Sequence, residues 1–234
     1  MSGRVHDGRN EAIVAIDTAL RSVVVAIARL DGTPLAETTW VAGYRHGETL
    51  LPAIQRVLGE ANVRRSRLRG FVVGTGPGAF TGLRVGLATA KGLARALRQP
   101  IVGISTGDAL IESAAKATSD PIDRLVLLLP AGPSDRVLVR HGQAPTLLPG
   151  GIDPEVAADE RIVAVDLDDR APSAARELGE IAVRGLGAVL LQRGLARLGS
   201  GDLDDLARLI PEYVTLPRGV AAVSGEVAWS RDRR

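Results

Sequence analysis

Between Gly74 and Leu97 the chain reads GTGPGAFTGLRVGLATAKGLARAL, and no other stretch narrows its folding options as much. An apolar run, Phe71 to Val73, stops where this stretch begins, so the local order is strand, glycine loop, helix. Gly74, Gly76 and Gly78 permit positive φ and close backbone approach, while Pro77 stiffens the bend. Thr81 stands where an N-cap hydroxyl would serve the first free amides, and the helix is expected to run to Leu97 before Pro100 forbids continuation. Inside it Gly82, Gly86 and Ala90 recur every fourth residue, a smooth stripe flanked by Leu83, Val85, Leu87 and Leu93. Glycine inside a helix costs about 1 kcal/mol relative to alanine. Something must therefore approach this backbone closely, either the chain's own sheet or a helix from another subunit.

Three phosphate-loop chemistries can be weighed against the same residues. Gly74, Gly76 and Ala79 meet the glycine spacing of a dinucleotide fingerprint, but Ala94 to Arg98, about 20 residues on, offers no acidic partner for a ribose. A Walker-type loop needs Lys and then Ser or Thr after its last glycine, and Gly82 is followed by Leu83 and Arg84. An actin-like ATP cradle needs a second phosphate loop and an acidic metal anchor elsewhere in the chain.

The whole sequence of 234 residues is 45% hydrophobic and 24% charged, enough to bury a core as one divided domain or two small ones. Aromatics are only 3%, so packing must rest on Val, Leu, Ile and Ala. No cysteine is present, which excludes disulfides, thiolate metal sites and cysteine nucleophiles. The net charge of +2 makes no strong claim on nucleic acid. The first ten residues are polar with no apolar segment behind them, and no run is long enough to span a membrane, so the expectation is a cytoplasmic protein.

In order along the chain, Glu11–Ile16, Ser22–Leu30 and Thr33–Val41 read as strands, with Asp31-Gly32 marking a hairpin between the last two. Leu50, Leu51, Ile54, Val57 and Leu58 follow helical spacing, with Gly47 and Glu48 opening the helix and Pro52 in its first turn. Phe71–Val73 and Ile101–Ile104 are further strands on either side of the glycine-striped helix. Three antiparallel strands, then helix, strand, helix, strand is the order of a ribonuclease-H-like unit, the half-domain of actin-like ATPases. The fold expected is thus α/β, an actin-like ATPase (ribonuclease-H-like) fold in two lobes, the second smaller and degenerate. The lobes are placed at 11–107 and 108–216, with flexible tails at 1–10 and 217–234. In the second lobe Leu125–Leu129, Arg136–Val139 and Arg161–Val165 read as strands, Leu178 to Gly199 as a helix, and Leu203 to Ile210 as a further short helical segment.

The run GPGAFTGLRVGLATAKGLA resembles the signature of the TsaB (YeaZ) family, the dimerisation subunit of the bacterial complex that makes threonylcarbamoyladenosine in tRNA. Ala79 stands where that family usually has serine. His46 to Pro52, HGETLLP, is similar to the family's His-Ser-Glu-x-Leu-Leu-Pro, and Pro211 to Val220 to its Pro-x-Tyr segment; Glu226 to Trp229 also fits. The resemblance implies a non-catalytic scaffold that binds the catalytic subunit TsaD directly. Its interface would comprise Leu50, Leu51, Ile54, Leu58, Thr81, Gly82, Leu83, Val85, Gly86, Leu87, Thr89, Ala90 and Leu93. It further implies that TsaE joins the assembly, that tRNA is met through the complex, and that the isolated chain pairs with itself. No cofactor is expected for the chain alone, with ATP or ADP entering only within the complex.

In the actin-like scheme Asp17 and Thr18, after the first strand, face a nucleotide, so together with Gly76 and Gly78 they are read as a vestigial phosphate-loop contact. The alternative function is an autonomous ATP-binding enzyme in which Asp17 anchors hydrated Mg²⁺. Its second phosphate loop should follow a later strand, yet Pro130 to Pro133 and Leu167-Asp168 lack the required Asp-x-Gly-Gly character. TsaD binds metal partly through two histidines one turn apart, and here the matching positions are Thr106 and Leu110, which do not ligate metal. A metal-dependent protease inherits the same objection. His46 is read as helix-entry structure, His141 as solvent-exposed, and the basic run Arg64–Arg69 as a solvated linker or a contact to tRNA phosphate.

Overall fold

A computed structural model describes residues 11–43 and 45–214. The expected tails, and the Glu226 to Trp229 segment, lie outside the described residues. The first strand, β1 (Ala12–Asp17), is buried along its whole length and pairs antiparallel with β2 (Ser22–Arg29), which pairs antiparallel with β3 (Pro34–Val41). The Asp31-Gly32 turn between β2 and β3 is the hairpin expected from sequence. Gly32 sits at φ 89°, and the Asp31 carboxylate accepts from the Thr33 amide at 2.9 Å. α1 (His46–Glu60) leads into β4 (Leu68–Gly74), parallel to β1, and α2 (Phe80–Leu97) returns the chain to β5 (Ile101–Ile104), parallel to β4. The sheet order is β3-β2-β1-β4-β5.

The second sheet repeats this plan with one strand fewer. After α3 (Thr106–Thr118) come β6 (Leu125–Pro130), β7 (Arg136–Arg140), the short β8 (Thr146–Leu148) and β9 (Arg161–Ala164), in the order β8-β7-β6-β9. β6 is antiparallel to β7 and parallel to β9, as β1 is to β2 and β4. α4 (Ser173–Ser200) is the last helix among the described residues.

Residue alternation in β1 and β2 assigns the two faces of the first sheet. Val14, Ile16, Val23, Val25 and Ile27 pack under α1 and α2 with Leu50, Ile54, Leu87 and Ala90. Ile13, Ala15, Val24 and Ala26 face the other way, toward Ala109, Leu110, Leu186 and Leu190 of α3 and α4 and Leu127 and Val139 of the second sheet. Helices on both faces explain the near-continuous apolar strands. α4 packs against β1, β2, β4, β5 and β9, so it serves both sheets, and the boundary expected between 107 and 108 falls inside α3.

Several local expectations need correction. Thr81 does not cap α2: the helix begins one residue earlier at Phe80, its N-cap is Ala79, and no side chain caps it. Pro52 lies beyond the first turn of α1, because that helix starts at His46. Leu203 to Ile210 is not a regular helix but an irregular strap with a single turn, in which Arg208 N and Leu209 N donate to Asp205 O at 3.1 and 2.9 Å. Asp204 N donates to Ile101 O at 3.1 Å, Gly103 N donates to the Asp204 carboxylate at 2.7 Å, and Leu206 and Leu209 reach the core beneath α2. The strap thus covers the outer edge of β5, an open edge that would otherwise expose unpaired backbone groups. His141 is half-buried rather than exposed, and its Nε2 accepts from Arg193 Nη2 at 2.7 Å.

Candidate functional site

Two turns meet at the C-terminal ends of β1 and β4, and each is shaped to the other. A Cβ on Gly74 would stand 1.8 Å from Asp17 Oδ2, one on Gly78 would stand 2.2 Å from the Ala19 carbonyl, and one on Gly86 would stand 2.1 Å from Thr18 Oγ1. Only hydrogen fits at these three places, which accounts for the glycine pattern without a ligand. Thr18 Oγ1 donates to Gly82 O at 2.7 Å and Ala79 N donates to Ala19 O at 2.7 Å, so the β1–β2 turn is hydrogen-bonded onto the glycine loop and the first turns of α2.

Asp17 closes the arrangement from below. It is completely buried; Oδ1 accepts from Ala19 N at 2.8 Å and Oδ2 from Thr106 Oγ1 at 2.7 Å. The same Thr106 hydroxyl accepts from Gly76 N at 3.1 Å, and Thr106 N donates to Gly76 O at 2.7 Å. Burial pushes the Asp17 carboxyl up to about 6, with the Thr106 and Ala19 hydrogen bonds pulling partway back. Thr106, at the position matched to a metal-binding histidine, instead ties three loops together through one hydroxyl. Leu110, the second such position, is wholly buried in the core.

The stripe on α2 therefore faces the chain itself. Gly82, Leu83, Gly86, Leu87 and Ala90 on α2, and Leu50, Ile54 and Leu58 on α1, are buried within the fold and are not a free surface. Of the thirteen expected interface residues only Leu51, which is 48% exposed, and Thr81 stand fully outside; Val85, Thr89 and Leu93 are half-buried. The outward side carries residues that the spacing argument passed over: Pro52 and Gln55 on α1, and Ala88 and Gly92 on α2. A Cβ on Gly92 would meet nothing within 4 Å. The signal was present one helical register over, since Thr81, Val85, Ala88, Gly92 and Ala96 make a second line of mostly small residues down the opposite side of α2.

The Pro-x-Tyr segment acquires a structural role here. Tyr213 lies 5.0 Å from Phe80 between ring centroids and accepts from Arg84 Nε at 3.0 Å, while the Arg84 guanidinium sits 3.6 Å over the Phe80 ring. Glu212 N donates to Thr75 O at 2.8 Å, and Lys91 Nζ to Leu209 O at 3.0 Å. The strap is thus fastened to both the glycine loop and α2.

Between the two sheets lies a cleft of about 390 Å³, lined by Arg21, Asp166, Asp168 and Arg176 among others. Arg21 makes a two-pronged bond to Asp168, both prongs 2.7 Å, and its amide donates to Asp166 at 2.8 Å. Both side chains of that pair are more than half exposed, so the pair is worth at most about 1 kcal/mol. The β6–β7 turn opposite is closed on itself, Ala131 N donating to Asp135 O at 3.0 Å, and Arg170 Nη1 donates to Gly132 O at 3.0 Å. Among the described residues no group of three or more His, Asp or Glu is placed to hold a metal, and no described helix is long and apolar enough to cross a membrane.

Sheet order, repeated half-plan and the aspartate turn define the class: an actin-like, ribonuclease-H-like α/β protein. YeaZ from Pseudomonas aeruginosa shares the fold, with a TM-score of 0.63 and 22% identity over 87% of this chain and 100% of that one. Residues 40–166, more than half of the chain, match the family model described as TsaD: tRNA N6-adenosine threonylcarbamoyltransferase. Among curated relatives, the tRNA threonylcarbamoyladenosine biosynthesis protein TsaB of Escherichia coli is 36% identical over 94 residues, 40% of each chain, and TsaB of Bacillus subtilis 35% over 98 residues, 42% of each. An uncharacterised protein of Mycobacterium leprae is 42% identical over 101 residues, 42% of this chain and 28% of its own. The chain spans less than half the length of the curated relatives it matches. It belongs to the TsaB (YeaZ) family.

Proposed function

We propose that this chain is an accessory subunit in the synthesis of threonylcarbamoyladenosine on tRNA, acting in the cytoplasm. In this reading it pairs with a TsaD-type catalytic subunit through the outward side of α1 and α2 and performs no chemical step itself. The names of the E. coli and B. subtilis relatives supply the reaction. The observation that carries the accessory role is the closed aspartate turn. A carboxylate that anchors hydrated Mg²⁺ beside a nucleotide must face water, and Asp17 is sealed beneath Gly74 with a hydrogen bond on each oxygen. Thr106 and Leu110 add no metal ligand.

The surface left for a partner is the outward side of the two helices: the exposed Leu51 and Pro52 on α1 and Thr81, Ala88 and Gly92 on α2, with the half-buried Val85 and Thr89 at its margin. Small side chains let a foreign helix come close, and covering Leu51, 48% exposed in the free chain, gains roughly half of the 1.5–3 kcal/mol that a leucine contributes on full burial. The same patch placed against its own copy gives a two-fold homodimer that competes with the partner. TsaE then joins the assembled complex, tRNA is met there, and ATP or ADP binds only within it.

The test is a pair of outward substitutions, Gly92→Leu and Leu51→Asp, each in the full chain. Both should abolish co-elution with a TsaD-type subunit while circular dichroism and melting stay those of the wild type. Pairing that survives both would remove this face from the reading. Gly86→Leu is unsuitable for the purpose, because it reports internal packing against Thr18.

A further inference from the structure

Five arginines that form no ion pair with any described residue gather at one pole of the molecule, and nothing in the fold described above employs them. β4 and β5 are parallel, with Phe71 opposite Ile101, so Arg64, Arg65 and Arg67 just ahead of β4 and Arg98 just ahead of β5 stand at neighbouring strand ends. α2 runs back against both strands and ends at the same pole, adding Arg95 from its last turn. α1 ends there too: its Leu58 and Gly59 share a surface hollow of about 360 Å³ with Arg64 and Arg65. Four of the five arginines are exposed and Arg67 is half-buried.

The carboxylates of this pole are already engaged. Glu11 pairs with Arg69 at 2.6 Å, Glu60 with Arg56 at 3.6 Å and Asp202 with Arg197 at 2.7 Å, while Asp31 accepts from the Thr33 amide and faces Arg29. Helix ends also oppose the cations. α1, α2 and α4 all finish at this pole, and each C-terminus contributes about half an elementary negative charge. Roughly 1.5 negative charges against five positive leaves a strong local excess that the chain's net +2 conceals. No aromatic residue interrupts the 64–69 or 95–98 runs, so base stacking is not on offer. Planar guanidinium forks without stacking platforms suit phosphate oxygens and read no bases.

We propose that this arginine pole grips the phosphate backbone of a folded RNA without sequence preference. Taking that RNA to be the substrate tRNA rests on the function proposed above. The pole would hold the tRNA body while the paired subunit works on its adenosine, and it uses none of the residues assigned to subunit pairing.

The experiment is binding of bulk bacterial tRNA to the full chain, followed by fluorescence anisotropy between about 50 and 200 mM salt. The logarithm of the wild-type affinity should fall linearly with the logarithm of salt. Replacing Arg64, Arg65 and Arg67 together by Ala should lower that slope by about three, and Arg98→Asn by about one. Asn tolerates the left-handed backbone that Arg98 adopts at φ 52°, so this single variant carries the test if the triple variant melts early. Arg184→Ala, on α4 and about 24 Å along the helix from this pole, should leave the slope unchanged. No tRNA binding at low salt, or an unaltered slope in both pole variants, overturns the proposal. Displacement of tRNA by polyglutamate as readily as by unlabelled tRNA also overturns it and assigns the pole to an acidic protein. Subunit pairing is read separately, by co-elution without RNA, so the failure of either idea leaves the other measurable.

Discussion

At the scale of single residues, three glycines and one aspartate set the chemistry of the closed turn. A methyl group at position 86 would press on Thr18 Oγ1, a hydroxyl held by its bond to the Gly82 carbonyl. Gly86→Ala should therefore lower stability by about 1–3 kcal/mol in urea unfolding, and Thr18→Ala in the same chain should restore part of the loss. An unchanged midpoint for Gly86→Ala would mean that the stripe has room to spare.

Asp17 gives a second, pH-resolved expectation. Its folded-state value of about 6 lies above the ordinary 3.8, so the folded chain binds the proton more tightly than the unfolded chain does. Stability contributed by the protonated group is complete below about pH 4 and is lost as pH rises through about 6, by about 3 kcal/mol in all. Asn keeps the shape without the charge. The stability of Asp17→Asn relative to wild type should thus climb between about pH 4 and 6 and level off above, and a difference that is flat with pH would contradict the buried carboxylate.

At the scale of elements, the strap from residue 201 to 214 matters more than its lack of regular structure suggests. It satisfies the open edge of β5 through Asp204 and is pinned at its far end by Tyr213, whose ring and hydroxyl engage Phe80 and Arg84 on α2. Tyr213→Ala removes an aromatic pair and one hydrogen bond, each worth about 1 kcal/mol. The amides of Asp204 and Glu212, which donate to Ile101 and Thr75, should then exchange with deuterium faster while those of β1 stay protected. Equal protection before and after would show that the strap is held by its leucines alone. Helix α4 operates at the same scale: by packing on both sheets it makes the two halves share one apolar cluster.

For the whole molecule, the closed turn and the inter-sheet cleft predict how the isolated chain meets nucleotide. Calorimetric titration with ATP and Mg²⁺ should give no micromolar binding, since the aspartate that would anchor the metal is sealed beneath Gly74 and Thr106. A micromolar isotherm would revive the reading of an autonomous ATP-binding enzyme.

Much of this architecture was legible in the amino-acid order. Apolar runs marked the strands, Asp31-Gly32 marked the hairpin, and the succession of strands and helices marked the actin-like plan, because these are local patterns. Glycine at every fourth position of α2 likewise announced a close backbone approach. What approaches was beyond reach of sequence. Thr18 lies far from Gly86 along the chain, and the phase of a helix relative to a distant turn is set by packing. Periodicity reports that a smooth side exists, while only the assembled sheet shows that this side points inward and leaves the line through Ala88 and Gly92 to the outside. For the same reason the arginines of residues 64–69 read as a solvated linker or a contact to tRNA phosphate until the parallel register of β4 and β5 set Arg98 beside them.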